Sequence, residues 1–388
     1  MAVIVSSTFL HDKHLVKSKI GLKNINRQLT TRIKRHRIIE EDLHRIVSAK
    51  LPWSNLDGTT VLITGAYGFI AAYIVETLLF LNEQKAMRNP IKVLAMGRSR
   101  EKALRRFAAH DGRRDLQFIL QDVSDPLKVP PNQQIDYVIH AASPASPKHY
   151  FADPVGTFKP HVIGMNYLLE RARTADVRGF LLVSSVEVYG RFEKTPTEPV
   201  TEDRFGTLDP LELRACNAEG KRASETMCKA WAYQYGVPTR VARLAHTYGP
   251  GMALDDGRVF ADFVANVIRN EDIVLKSDGT ALRVFCYLAD AVTGLLTVLL
   301  NGKTANAYNL VNESGAIRIL DLAHLLCGIF PEKKLKVLPL DRPALGDQVV
   351  WNSGFRVSAN KLRSLGWKPC TSLESGFRRT ILSYQNRG

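Results

Sequence analysis

The chain has 388 residues, of which 45% are hydrophobic, and a formal net charge of +15. That length suits one large domain carrying a smaller lobe, with ample material for a buried core. Its five cysteines (Cys216, Cys228, Cys286, Cys327, Cys370) are an odd, scattered set with no CxxC pair and no Cys/His ligand spacing. This argues against a disulfide scaffold or a metal site and predicts reduced thiols in a cytoplasmic protein.

No apolar run approaches the ~20 residues that a membrane span needs. The first ten residues lack the basic flank and cleavage pattern of a secretion signal. Part of the charge lies early, in Lys17, Lys19, Lys23, Arg27, Arg32, Lys34, Arg35 and Arg37. No zinc-finger, RRM or KH signature accompanies it, so the expectation is a solvated basic extension and anion-binding pockets rather than a nucleic-acid interface.

Residues 1–50 read as an appended segment. The spacing of Ile38, Ile39, Leu43, Ile46 and Val47 predicts a helix over 33–49 that packs on the main body. From Leu56 onward, apolar runs and helical periods alternate. Strands are predicted over 61–64, 91–96, 116–121, 137–141 and 180–184, and helices over 70–81, 99–109, 155–174 and 211–235. Short continuous apolar runs are what parallel strands covered on both faces show. The alternation predicts an α/β fold, a Rossmann-type doubly wound parallel sheet over 51–250. The mixed pattern of 251–388 predicts a smaller lobe interleaved with the last sheet elements.

The first strand runs into Thr64-Gly65-Ala66-Tyr67-Gly68-Phe69-Ile70-Ala71. Gly65 permits a tight turn, Gly68 lets the backbone approach a pyrophosphate, and Ala71 allows close helix–strand packing. The helix start offers N–H donors and positive dipole to phosphate. The context of strand, glycine turn and helix predicts a dinucleotide site involving Gly65, Tyr67, Gly68, Phe69 and Ile70. After the second strand no acidic residue is offered to the ribose. Arg98 stands there instead, which leans toward NADP over NAD. Asp122 and Val123 follow the third strand, near the expected adenine. Ala141, Ala142 and Ser143 follow the fourth, small enough for a dinucleotide to lie across the strand ends.

Four segments carry a family resemblance: the glycine turn, the stretch 140–147 (HAASPASP), Ser184-Ser185-Val186-Glu187-Val188-Tyr189-Gly190, and Arg214-Ala215-Cys216-Asn217-Ala218-Glu219-Gly220-Lys221-Arg222. Together they resemble the extended short-chain dehydrogenase/reductases of the NAD-dependent epimerase/dehydratase family that act on NDP-sugars. The closest look is to the UDP-glucuronate decarboxylases. The resemblance runs from about Leu56 to the end of the chain and leaves residues 1–50 outside it.

The resemblance implies oxidation of a bound sugar at C4 by the dinucleotide, with a Tyr-xxx-Lys pair and a Ser or Thr as apparatus. Lys221 and Ser185 match. The position one helical turn before Lys221 is Asn217, and an amide is no base near neutral pH, although it can hydrogen-bond a substrate. Three explanations stay open: an engineered change, a divergence in which Tyr189, His161 or Tyr248 takes over proton transfer, or a silent binding subunit. A 4-epimerase or 4,6-dehydratase is the alternative reaction.

Glu187 and Arg283 match the decarboxylases' carboxylate-handling positions, while Val186 stands where they have serine and His161 where the family has asparagine. Ser143, Tyr150, Glu187, His246, Arg258 and Arg283 are the expected substrate contacts, the arginines because a planar guanidinium suits diphosphate or carboxylate. A homodimer is expected through the helices over 155–174 and 211–235, with Val162, Leu168, Met227 and Trp231 as candidate contacts.

Overall fold

The computed structural model describes residues 35–144, 146–339 and 354–385. The basic positions from Lys17 to Lys34, and the first residues of the helix expected over 33–49, lie outside them. From His36 onward the described residues belong to one compact unit.

Seven parallel strands make the central sheet. In chain order they are β1 (Thr60–Thr64), β2 (Lys92–Gly97), β3 (Leu116–Leu120), β4 (Tyr137–His140), β5 (Gly179–Ser185), β6 (Thr239–Leu244) and, after three strands of the lobe, β10 (Asn306–Leu310). Their spatial order is β10-β6-β5-β4-β1-β2-β3. The order reverses between β1 and β4, which opens the crevice where such folds bind dinucleotides, at the carboxyl ends of the strands. The fold is the α/β, Rossmann-like one expected from the sequence. Its helices cover both faces, and β1 and β4 are buried along their whole length.

The lobe's own strands are β7 (His246–Tyr248), β8 (Ile273–Val274), β9 (Leu282–Tyr287), β11 (Ala316–Arg318) and β12 (Val337–Leu338). They pair as β11-β9-β7 and as β12-β8. Because β10 pairs with β6 in the main sheet, the chain returns from the lobe to the sheet edge.

The helix at Arg37–Val47 buries Ile38, Leu43 and Ile46. It ends ahead of Pro52, in a chain stretch where Trp53–Leu56 forms a 3₁₀ turn. The helix expected over 155–174 is broken into Pro154–Lys159, a π-helical turn at Pro160–Gly164, and Met165–Thr174. Proline supplies no N–H and its ring crowds the preceding turn, which explains the widening at Pro160. Ala215–Tyr235 forms the long helix beside it. The two pack closely at Gly220, where a Cβ atom would lie 2.7 Å from His161 Cδ2.

The expected dimer contacts need correction. Leu168 is fully buried under the sheet, and Met227 and Trp231 pack partly against the same core. Exposed apolar side chains of this region include Phe151, Val155, Ile163, Leu211, Tyr233 and Tyr235. Periodicity identifies these helices but not which of their faces meets the sheet.

Candidate active site

The glycine turn is built for close approach. Gly65 has φ 65°, and a Cβ there would lie 2.7 Å from Ala142 Cα. The left-handed backbone and the lack of space both require glycine. Gly68 caps the helix Phe69–Glu83 by backbone alone; no side chain satisfies its first turn. Its N–H groups are thus left for an anion, and this arrangement fits the pyrophosphate of a dinucleotide. The Tyr67 side chain has a different task. Its hydroxyl donates to Ala95 O at 3.0 Å, and its ring occupies the space over Gly97, bracing the turn against β2.

Beyond β2, Arg98 Nη1 pairs with Asp122 Oδ2 at 3.3 Å, and Asp122 Oδ1 accepts from Ser124 N. The buried Val123 packs against Gly164 of the π turn. On β1 the Thr64 hydroxyl accepts from Ala142 N at 3.3 Å and lies 2.8 Å from His140 Nδ1. His140 Nε2 is 3.1 Å from Pro160 O, and a carbonyl only accepts. His140 is therefore the Nε2–H tautomer, receiving the Thr64 proton at Nδ1. Burial, reinforced by the Lys221 cation, pushes its pKa down to about 3.

Five candidate side chains gather beyond the ends of β4 and β5. Lys221 Nζ donates to Val183 O at 2.6 Å, and burial lowers its pKa to about 8 against the pull of Glu225 and Glu187. Asn217, one turn earlier on the same helix, donates from Nδ2 to Glu187 Oε2 at 2.7 Å. Ser143 Oγ lies 3.5 Å from Asn217 Oδ1 and 3.3 Å from His161 Nε2. Ser185 Oγ accepts from Glu187 N at 3.1 Å, capping the 3₁₀ turn Val186–Tyr189 that carries the glutamate. Ser185 keeps its own proton to donate.

The substrate candidates lie on the lobe side. Tyr150 is buried, and its hydroxyl is held well above its usual pKa, first by burial and then by Glu187, with Arg214 and Arg258 opposing. His246 sits edge-on to Phe260 and tilted against Phe285. Loss of hydration, with the Arg283, Arg258 and Arg214 cations, lowers its pKa to about 3. Burial also lowers the pKa of Arg283, with Arg214 adding to the effect and Glu187 opposing it. Arg258 is engaged by Asp256 through Nε at 2.6 Å and stacks over Phe260. Arg214 had no role assigned from sequence. Its signal was its place three residues before Asn217, which puts it at the mouth of the same helix.

Two candidate bases are excluded by their bonding. The Tyr189 hydroxyl donates to Asn309 Oδ1 at 2.7 Å and accepts from Arg243 at 3.0 Å, while burial raises its pKa to about 12. Tyr248 is stacked on Phe377 at 3.9 Å between centroids, and burial holds its pKa well above the usual value. Both are core residues.

A doubly wound sheet with a glycine turn after its first strand, and a lysine-bearing helix packed beside its fifth, defines a short-chain dehydrogenase/reductase-like protein. The chain belongs to the NAD dependent epimerase/dehydratase family, whose model matches residues 61–311. UDP-glucuronic acid decarboxylase 1 of Xenopus tropicalis is 32% identical over 347 residues, covering 88% of this chain and 76% of the relative. UDP-glucuronic acid decarboxylase 6 of Arabidopsis thaliana is 34% identical over 279 residues, covering 72% and 76%. Among solved structures, the UDP-glucose 4-epimerase of Thermotoga maritima superposes with a TM-score of 0.71 at 23% identity, over 84% of this chain and 99% of that one. The UDP-glucuronic acid 4-epimerase of Bacillus cereus superposes at 0.69 with 21% identity, over 84% and 99%.

Proposed function

We propose that the protein binds NAD or NADP beside a nucleotide sugar and oxidises the sugar at C4, with UDP-glucuronate decarboxylation as its reaction. The observation that carries this reading is the gathering of Ser185, Glu187, Asn217 and Lys221 beyond β5, across from Arg258 and Arg283. The likeness to UDP-glucuronic acid decarboxylases supports the choice of sugar. A bound dinucleotide supplies the hydride acceptor.

The chain's residues do the rest. Gly65, Gly68 and the start of the helix at Phe69 hold the pyrophosphate. Asp122, Val123, Ala141 and Ala142 line the crevice, and Lys221 binds the nicotinamide ribose. Ser143, Tyr150 and His246 contact the sugar nucleotide, Arg258 its diphosphate, and Arg283 the sugar carboxylate. A ketone at C4 is β to that carboxylate, so the electron pair released with carbon dioxide is accepted as an enolate. The Ser185 hydroxyl is placed to stabilise its oxygen.

Asn217, in the position where the family carries tyrosine, supports a second reading: a subunit that binds both ligands without turnover. Incubation with NAD and a panel of UDP-, CDP-, GDP- and dTDP-sugars, read for new sugar nucleotides and carbon dioxide, separates the two. Carbon dioxide from UDP-glucuronate supports the first. Tight binding without any product supports the second, and a C4 epimer or 4-keto-6-deoxy product places the chemistry elsewhere in the family.

A further inference from the structure

Glu187, Asn217, Ser143 and His161 form one hydrogen-bonded chain, and donor/acceptor bookkeeping gives it a direction. An ionised carboxylate only accepts, so the Asn217 amide nitrogen faces Glu187 and the amide oxygen faces Ser143. That oxygen takes the single Ser143 proton. Ser143 Oγ then accepts from His161 Nε2, which carries the imidazole proton. Burial, and after it the Lys221 cation, keeps His161 neutral.

Every proton in the chain therefore points toward Glu187. His161 Nδ1 is without a partner but lies in a ring sealed from solvent. Ser143 Oγ and Asn217 Oδ1 each accept one hydrogen bond from within the chain, and neither a hydroxyl nor an amide oxygen takes up a proton near neutral pH. Glu187 Oε1 makes no hydrogen bond to a described residue, while Oε2 is held by Asn217. It is the acceptor left open on a turn that Ser185 caps through the Glu187 N–H, near enough to the buried Tyr150 to act on its hydroxyl.

We propose that Glu187 accepts the C4 hydroxyl proton in the oxidation and that Asn217 is the positioning residue that presents it. The inference rests on the reading above. In the step, the hydroxyl proton passes to the Glu187 carboxylate while the C4 hydrogen leaves as hydride to the nicotinamide. The C4–O bond becomes a carbonyl and the dinucleotide gains two electrons. No other oxidant is needed.

The test is Glu187→Gln, which preserves shape. Its one carbonyl oxygen must face the Asn217 N–H, so its NH₂, a donor only, replaces Oε1. Calorimetry with the reduced dinucleotide bound compares UDP-glucuronate with its 4-deoxy analogue. The wild type is expected to bind the 4-deoxy compound about tenfold or more weakly, the usual effect of losing a hydrogen bond to a charged group. Glu187→Gln should bind the two within about threefold, and with NAD its single-turnover rate should fall by about 10²–10⁴.

Asn217→Ala should lower kcat while leaving KM nearly unchanged, and Asn217→Gln, which keeps the amide, should recover part of the loss. Equal discrimination by wild type and Glu187→Gln, in an enzyme that oxidises the sugar, overturns the role of Glu187 alone. A wild type that binds UDP-glucuronate yet reduces no NAD overturns the oxidation, and the proton transfer with it.

Discussion

Asp42 and Arg379, 337 positions apart, meet at 2.8 Å through Oδ1 and Nη2. The other oxygen of Asp42 accepts from the hydroxyls of Tyr287 at 2.6 Å and Tyr73 at 3.0 Å. Arg45 adds a contact at 3.3 Å. One buried carboxylate thus joins the helix Arg37–Val47 to the phosphate-side helix, to β9 and to the carboxyl-terminal helix Leu373–Gln385. Removing one partner of a buried charge network strands the others, at about 3–5 kcal/mol. Arg379 and Arg45 retain some solvent access, so Asp42→Ala is expected to cost about 3 kcal/mol in urea unfolding. A loss below about 1 kcal/mol would show that the cluster is merely a surface pairing.

The depressed Lys221 pKa has a stability consequence with a definite sign. The unfolded chain's lysine titrates near 10.4 and the folded one near 8. Below pH 8 both are charged and the folded state carries the full cost of the buried ammonium. Between about 8 and 10 the unfolded state binds the extra proton, so stability rises with pH. Lys221→Met should therefore raise the melting temperature of the cofactor-free protein at pH 7, by about 2 °C or more, and abolish this rise with pH. The same variant should bind NAD more weakly. A melting temperature that falls on substitution would contradict the buried charge.

A homodimer is the expected assembly, formed through exposed side chains of these helices rather than through the buried Leu168. Val155 is 60% and Tyr233 91% exposed, with Phe151 and Ile163 nearby in sequence on the same helical region. Phe151, Val155 and Ile163 put three exposed apolar side chains within one short stretch of chain, more than an isolated residue presents. Sedimentation at micromolar concentration should give a dimer, and the pair Val155→Glu with Tyr233→Glu should give a folded monomer. A wild type that sediments as a monomer at that concentration refutes the expectation.

The expected choice of cofactor rests on Arg98. Its pairing with Asp122 at 3.3 Å is largely exposed, so the guanidinium can leave it for a 2′-phosphate at a cost of about 1 kcal/mol or less. A modest preference for NADP is expected, reduced by Arg98→Ala. Dissociation constants showing NAD bound tenfold or more tightly, about 1.4 kcal/mol, would leave Arg98 as a surface ion pair.

The sheet was legible because parallel strands buried on both faces appear as short apolar runs, and Gly65 and Gly68 marked where the crevice opens. Ser185 with Glu187, on one 3₁₀ turn, and Asn217 with Lys221, within one helical turn, could each be picked out as a local pair, but it is nonlocal packing of the long helix against β5 that brings the two pairs together. What could not be read was nonlocal. Asp42 gives no sign in sequence that Tyr73, Tyr287 and Arg379 will close around it. The core roles of Tyr189 and Tyr248 depend on Asn309, Arg243 and Phe377, which come from other parts of the chain. The break at Pro160 was visible as a residue, but the π turn it produces depends on packing against Val123 and Gly220.

The most direct test of C4 oxidation follows the hydrogen itself. UDP-glucuronate carrying deuterium at C4 is incubated with the protein and NAD, and the nicotinamide and the sugar product are analysed by mass. Deuterium is expected to appear on the nicotinamide in a single turnover, with a primary isotope effect on the rate, and carbon dioxide is expected to be released. Carbon dioxide released with deuterium never leaving C4, or a bound sugar whose deuterium stays in place while no product forms, would contradict C4 oxidation.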